Sequence, residues 1–172
     1  MEITEEVVEG TLTIPPGVNV SGADGEEVVV EPEEGEPGIV MEGEGDSSIS
    51  HIRVRNATGA GIRVQGRSVI LNNVEVTGTL ASGDEPGHGI LVENAPSFEA
   101  NSISSSNNAG SGLRVDGTDE VVIVHPQFIP APDEVIGNAS RVIVHPQFLV
   151  GEESQVIVHP QFHYNLFLNF DL

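Results

Sequence analysis

The chain has 172 residues, and its 27 acidic side chains against 6 arginines give a formal net charge of −21. This balance argues against a nucleic-acid interface, which needs clustered cations, and against attachment to an anionic membrane. The absence of cysteine excludes disulfides, thiolate metal sites and cysteine nucleophiles. No segment has the pattern of a signal peptide or a transmembrane helix, so we expect a soluble protein, and the sequence does not indicate its compartment.

The acidic residues are concentrated at the start of the chain. Residues 1–46 hold 14 of them and contain no cation. A calcium-binding or salt-adapted surface is one interpretation, and a solvated acidic face that prevents association is the other. Glu outnumbers Asp, and the close Asp and Asn spacing of calcium loops is missing, so we expect no bound metal and no cofactor.

Short apolar alternations follow one another along the chain. They are separated by Gly, Asn, Ser and Pro, and helical periodicity is hard to find, which predicts an all-β chain of many short strands. Four segments share one form, namely residues 38–43, 61–66, 89–94 and 112–117. A second strand follows each of them, which places four residues in one slot: His51, Asn73, Ser102 and His125. Residues 79–88 lengthen one repeat and are predicted to be a loop insertion at a corner.

A repeat of about 23 residues with two or three short strands and no helix predicts a parallel β-solenoid. Stacking the coils buries aliphatic columns and leaves the strands about 4.8 Å apart. Alternation predicts two inward columns: Ile39, Ile62, Ile90 and Leu113, and Met41, Val64, Val92 and Val115. The predicted outward positions are Val40, Glu42, Arg63, Gln65, Leu91, Glu93, Arg114 and Asp116.

Two stretches, LTIPPGVNVSGADGEEVVV (12–30) and SVILNNVEVTG (68–78), carry a family resemblance. They resemble the first and the internal coils of right-handed parallel β-helix proteins of the pectin lyase-like superfamily, and the similarity extends over residues 11–117. Asn72, Asn73 and Asn101 fit the asparagine-rich turns of that group. The resemblance implies a right-handed β-helix, here of about five to six coils with a C-terminal cap, and relatives that are mostly secreted. It specifies fold more than activity, because such proteins include lyases, hydrolases, adhesins and inert scaffolds.

The last third of the chain departs from these loose repeats. The heptad VIVHPQF occurs unchanged at 122–128, 142–148 and 156–162, in steps of 20 and 14 residues. The shortening predicts a flattened or open last coil, or an end of the regular stack near residue 150. The Phe-rich tail is predicted to cap the stack and shield its edge strands, with dimerisation through this end as the alternative. We therefore predict a single domain, 1–172, divided into an N-terminal cap and first coil (1–37), repeat coils (38–151), and a last coil with the C-terminal cap (152–172).

The HPQF part of each heptad resembles the short peptide motif that binds streptavidin. The resemblance implies that His and Gln make polar contacts with streptavidin and that Phe packs into its pocket. Carried over to this chain, the binding residues are His125, Gln127, Phe128, His145, Gln147, Phe148, His159, Gln161 and Phe162. The structural interpretation is a rigid corner, in which Pro sets φ and Phe returns to the core. A column of the three histidines could share Zn or Ni, but we favour turn residues.

Carbohydrate chemistry is the alternative function. Glu93 and Asp116 fall on consecutive coils, so their carboxylates would stand about 5 Å apart, as in a retaining glycosidase pair. One could act as nucleophile and the other as acid, with Arg63 and Arg114 binding an acidic sugar. The plainer interpretation is a surface ladder of solvated charges. Gly87-His88-Gly89 also resembles the Gly-His-Gly of polygalacturonases, but their paired-Asp motif has no counterpart here.

Two functional hypotheses follow. Identical heptads among degenerate repeats, without Lys or Cys, suggest a designed or idealised chain, although a natural salt-adapted protein could share most of this composition. The leading hypothesis is a non-catalytic structural or display scaffold, with streptavidin as the partner that HPQF indicates. The second is a protein that binds or cleaves an acidic polysaccharide as a polyuronate lyase or hydrolase. We expect no nucleic-acid or membrane partner, and either a monomer or an end-to-end homodimer.

Overall fold

The computed structural model describes residues 1–124, without the side chain of Asp24, and beyond them only the backbone of five short strands. This part contains no α-helix, and one turn of 3-10 helix spans Ala23–Gly25. No helix in it is long and apolar enough to span a bilayer. The strands in chain order are β1 (Glu2–Ile3), β2 (Val7–Glu9), β3 (Leu12–Thr13), β4 (Asn19–Gly22), β5 (Val28–Glu31), β6 (Ile39–Glu42), β7 (Asp46–Arg55), β8 (Ala60–Gln65), β9 (Ser68–Thr77), β10 (His88–Glu93), β11 (Ser97–Ser106), β12 (Leu113–Asp116), β13 (Glu120–Val124), β14 (Gln127–Ile129), β15 (Val135–Ile136), β16 (Arg141–His145), β17 (Leu149–Val150) and β18 (Gln155–Val158).

Every ladder between these strands is parallel and joins successive coils. A seven-stranded sheet contains β3, β6, β8, β10, β12, β15 and β17 in chain order. An eleven-stranded sheet has the main path β1, β4, β7, β9, β11, β13, β16 and β18. Because each strand pairs with its equivalent one coil later, the chain winds into a parallel β-helix, which confirms the predicted fold class. The seven-stranded sheet takes one strand from each coil, so the described strands trace seven coils where about five to six were predicted.

Residues with left-handed backbone conformation turn the corners of the coil. Three of them interrupt the long strands at the same place, with φ of 56°, 51° and 55°: His51, Asn73 and Ser102. Three more follow the strands of the seven-stranded sheet: Gly66, Asn94 and Gly117. This conformation is costly for most L-residues and cheapest for Gly and Asn, which explains why the repeats end in those residues. The predicted common slot is therefore confirmed for the first three, while His125 lies outside the described residues.

The core is a narrow shaft of stacked aliphatic side chains. All eight residues that alternation predicted to face inward are fully buried. Ile62 pairs in register with Ile39 on one side and with Ile90 on the other, so each column is continuous from coil to coil. Burying one such side chain contributes roughly 1.5–3 kcal/mol. The stack therefore gains its stability coil by coil rather than from one central core.

The predicted loop insertion at 79–88 forms a small turn on the surface. The backbone N–H of Ser82 donates to the carbonyl of Glu85 at 3.0 Å, and the reverse bond measures 2.9 Å. At its start, Leu80 pairs with Thr58 of the preceding coil. The insertion is thus attached to the preceding coil, and it holds Glu85 beside the seven-stranded sheet.

The described strands that begin the three heptads do not stack as one column of identical residues. Val124 pairs with His145, which is 21 residues further along the chain. The first two heptads are 20 residues apart in sequence, so their strands are offset by one position. Val144 pairs with Val158, which keeps the second and third heptads in register. A slip of one residue exchanges the two faces of a strand, so this offset contradicts a single ladder of identical heptads.

The paired strands continue to Val158, beyond the end near residue 150 that one sequence interpretation predicted. The tail that was predicted as a cap, residues 162–172, lies outside the described residues. The domain boundaries therefore stay predictions.

Candidate functional site

The outer surface of the seven-stranded sheet carries the residues predicted for carbohydrate chemistry. Glu93 of β10 lies in register with Asp116 of β12. Their side chains point outward because Val92 and Val115, the residues before them, are fully buried. Neighbouring strands lie about 4.8 Å apart, so the two carboxylates belong to adjacent rungs. The sequence-predicted pair is thus brought together.

The two predicted arginines occupy the next outward column, but they are not neighbours. Leu91 lies between them, in register with Arg63 on one side and Arg114 on the other. The arginines are therefore two rungs apart, roughly 10 Å along the stack. The Nη2 group of Arg63 donates a hydrogen bond to Oε1 of Glu85. Glu85 was not among the predicted site residues, because nothing in the sequence of a loop insertion indicates which strand residue it covers.

Other surface arginines bind carboxylates of neighbouring coils. Nη1 of Arg53 lies 2.9 Å from Glu27, and its Nη2 lies 2.7 Å from Glu75. Arg55 and Glu31 are 4.0 Å apart. Arg53 and Glu75 are paired residues of β7 and β9, so this contact crosses directly from one coil to the next. These ion pairs lie on the eleven-stranded sheet, and the ladder of solvated charges that was the plainer interpretation for Glu93 and Asp116 stays a prediction for the other sheet.

Arg67 is fully buried, which sequence analysis did not foresee. Its Nη1 donates to the carbonyl of Ile14 at 3.0 Å and to Oγ of Ser47 at 3.2 Å. Its Nε donates to the carbonyl of Gly43 at 3.3 Å, and its Nη2 donates to that of Glu42. The guanidinium therefore satisfies acceptors from preceding turns of the coil. Since Arg is rarely buried in proteins, composition and spacing contain no signal for this role.

His88, the histidine of the Gly-His-Gly segment, is buried at the base of the insertion, with 6% of its surface exposed. Its Nδ1 accepts a hydrogen bond from the backbone N–H of Ser111 at 3.1 Å, so in the neutral ring Nε2 carries the proton. Burial, and secondarily the positive charge of Arg114, lower the pKa of His88. The neutral imidazole is thereby favoured, and it joins two coils as a hydrogen-bond acceptor.

The nine residues predicted to bind streptavidin lie outside the part of the chain whose side chains are described. Gln127, Phe128 and His145 belong to strands β14 and β16, of which the backbone alone is described. Within the side chains that are described, no group of three or more His, Asp or Glu is arranged to hold a metal ion.

Comparison with known proteins supports the geometry of the coil. A family model described as a right-handed β-helix region matches residues 37–140, more than half of the chain. No curated protein and no solved structure matches the chain. The matched range includes Glu93, Asp116 and both candidate arginines, so they stand on regular coils of that family. The match also sets the handedness of the winding, which strand pairing by itself leaves open.

Proposed function

Because the chain belongs to the right-handed β-helix family, we propose that it is a non-catalytic structural protein, a stiff scaffold that displays short motifs. The observation that carries this proposal is the use of its cations. Of the five arginines with described side chains, four bind groups of other coils or of the insertion: Arg53, Arg55, Arg63 and Arg67. Cations that an acidic ligand would need are thus engaged in holding the coils together.

A stability measurement combined with an activity assay tests this role. Arg53→Ala removes two ion pairs of 2.9 and 2.7 Å between partly exposed groups, so we expect a loss of about 0.5–2 kcal/mol in the free energy of unfolding. The matched control is Arg114→Ala, which lacks a described ion pair and should change stability less. Both variants and the unaltered chain should leave polyuronates uncleaved in an absorbance assay for unsaturated products. Cleavage that Asp116→Asn abolishes would refute the scaffold proposal.

The display part of the proposal rests on the three HPQF copies in the sequence. Immobilised streptavidin should retain the chain, and biotin should release it. Replacing His125, His145 and His159 together with Ala should abolish retention, because the resemblance assigns polar contacts to His. Retention that survives this triple replacement would show that the HPQF copies do not carry the binding, and it would refute the display proposal. The designed or idealised origin stays a prediction from the identical heptads.

A second candidate function is supported by one observation, the register of Glu93 with Asp116 on adjacent rungs. Under this proposal the two carboxylates act on an acidic polysaccharide, which the protein binds or cleaves. Arg114, in the neighbouring outward column of the same sheet, supplies the positive charge. A glycan array separates the two proposals. Binding of polyuronates that Arg114→Met weakens, while Arg55→Met does not, would favour the carbohydrate function over the scaffold.

A further inference from the structure

A groove crosses the outer face of the eleven-stranded sheet, away from the face that carries Glu93 and Asp116. It has a volume of about 610 Å³ and runs across the first halves of β7, β9, β11 and β13. We call it the serine groove after three of its lining residues, Ser48, Ser68 and Ser97. Neither proposed function uses this surface.

The strand register builds the groove as two parallel columns. In one column, Ser48 pairs with Ile70, and Ile70 pairs with Glu99. In the other, Asp46 pairs with Ser68. These residues face outward because the residues between them in each strand, such as Val69, are buried. The groove therefore places hydroxyl, aliphatic and carboxylate side chains side by side, with steps of about 4.8 Å between neighbouring strands.

The groups in the groove suit a sugar polymer. The serine hydroxyls can each donate and accept hydrogen bonds. Ile70 is 40% exposed, which makes it one of the few large apolar side chains on the described surface, and it lies between two polar rungs. A pyranose ring presents hydroxyls at its edge and C–H groups on its face, so it can contact the serine hydroxyls and Ile70 together.

The charge of the groove selects among sugars. Asp46 and Glu99 are exposed, and neither has an ion-pair partner among the described residues. Among the described residues that line the groove there is no arginine. Carboxylates repel a polyuronate and attract protonated amines through charge-assisted hydrogen bonds. We propose that the serine groove binds a linear polysaccharide of protonated amino sugars, with Asp46 and Glu99 contacting the ammonium groups and Ile70 packing against a ring face.

The test uses the full chain and a chitosan oligosaccharide as the probe, with isothermal titration calorimetry in slightly acidic buffer. Chitosan should bind more tightly than a fully acetylated chitin oligosaccharide of equal length, and a polygalacturonate oligosaccharide should not bind in the groove. The double variant Asp46→Asn, Glu99→Gln should weaken chitosan binding roughly tenfold, a change of one decade in Kd. The charge-matched control is Asp84→Asn with Glu26→Gln, two exposed acids outside the groove.

Each outcome decides for or against the groove. Equal weakening in the two double variants would mean that net charge alone attracts the polymer, which overturns the proposal. A lysine oligomer that binds more tightly than chitosan would show that the surface takes a basic peptide instead, and it overturns the proposal as well. Ile70→Asn tests the ring contact without removing a charge, and it should weaken the binding of chitosan but not that of the lysine oligomer. Far-ultraviolet circular dichroism of every variant confirms that the β-helix is intact.

Discussion

Replacing the buried Arg67 with Met is the sharpest test of how the first coils are held together. The variant keeps much of the aliphatic volume but leaves four acceptors without their donor, three of them main-chain carbonyls. A buried acceptor without a partner costs about 1–3 kcal/mol. Part of this is offset, because the variant no longer has to bury a guanidinium, which costs several kcal/mol. We therefore expect a net loss of about 2–4 kcal/mol in the free energy of unfolding.

Urea unfolding followed by far-ultraviolet circular dichroism measures this loss as a shift in the midpoint at constant slope. Arg114→Met is the matched control, because Arg114 is half-buried and makes no hydrogen bond or ion pair with the described side chains. That control should stay within about 0.5 kcal/mol of the unaltered chain. A variant at Arg67 that is as stable as the control would refute the reasoning, since the guanidinium would then contribute nothing that a thioether cannot.

Three further predictions concern pH, backbone conformation and salt. Because burial and Arg114 lower the pKa of His88 below its usual 6.5, the unfolded chain binds the proton more readily. The contribution of His88 to the free energy of unfolding is therefore complete above about pH 6.5 and is lost as the pH falls below that value. The melting temperature should decline as the pH falls through this range. A His88→Gln variant whose melting temperature depends on pH just as steeply would contradict this prediction. Asn73 has φ of 51°, so Asn73→Val should cost about 1–2 kcal/mol in urea unfolding and Asn73→Gly should cost less; equal stabilities would argue against a left-handed corner. Glu9 lies opposite Glu31 in adjacent strands, so NaCl should raise both the melting temperature and the free energy of unfolding, and Glu9→Gln should reduce the gain in free energy by about 0.2–1 kcal/mol. A melting temperature that falls with added salt would show that ion pairs outweigh like-charge repulsion.

Part of the candidate site could be predicted from the sequence because it depends on the repeat alone. Glu93 and Asp116 end equivalent segments of consecutive repeats, and the structure pairs them. The contact between Arg63 and Glu85 could not be predicted in the same way. It depends on how the insertion folds over the sheet, and an insertion has no equivalent in the neighbouring repeats. The serine groove was missed for a related reason, since its lining becomes visible only when several coils are aligned side by side.

The sequence by itself determined the β-helix and its core, because alternation and left-handed corner residues are local properties that repeat along the chain. The inward columns, from Ile39 to Leu113, follow directly from that pattern. The tertiary structure alone decided the offset between the first two heptads and the burial of Arg67. The register of a coil depends on how many residues close each turn, and the burial of a cation depends on which carbonyls converge around it. Both quantities involve residues far apart in the chain, so they arise only once the coils are stacked.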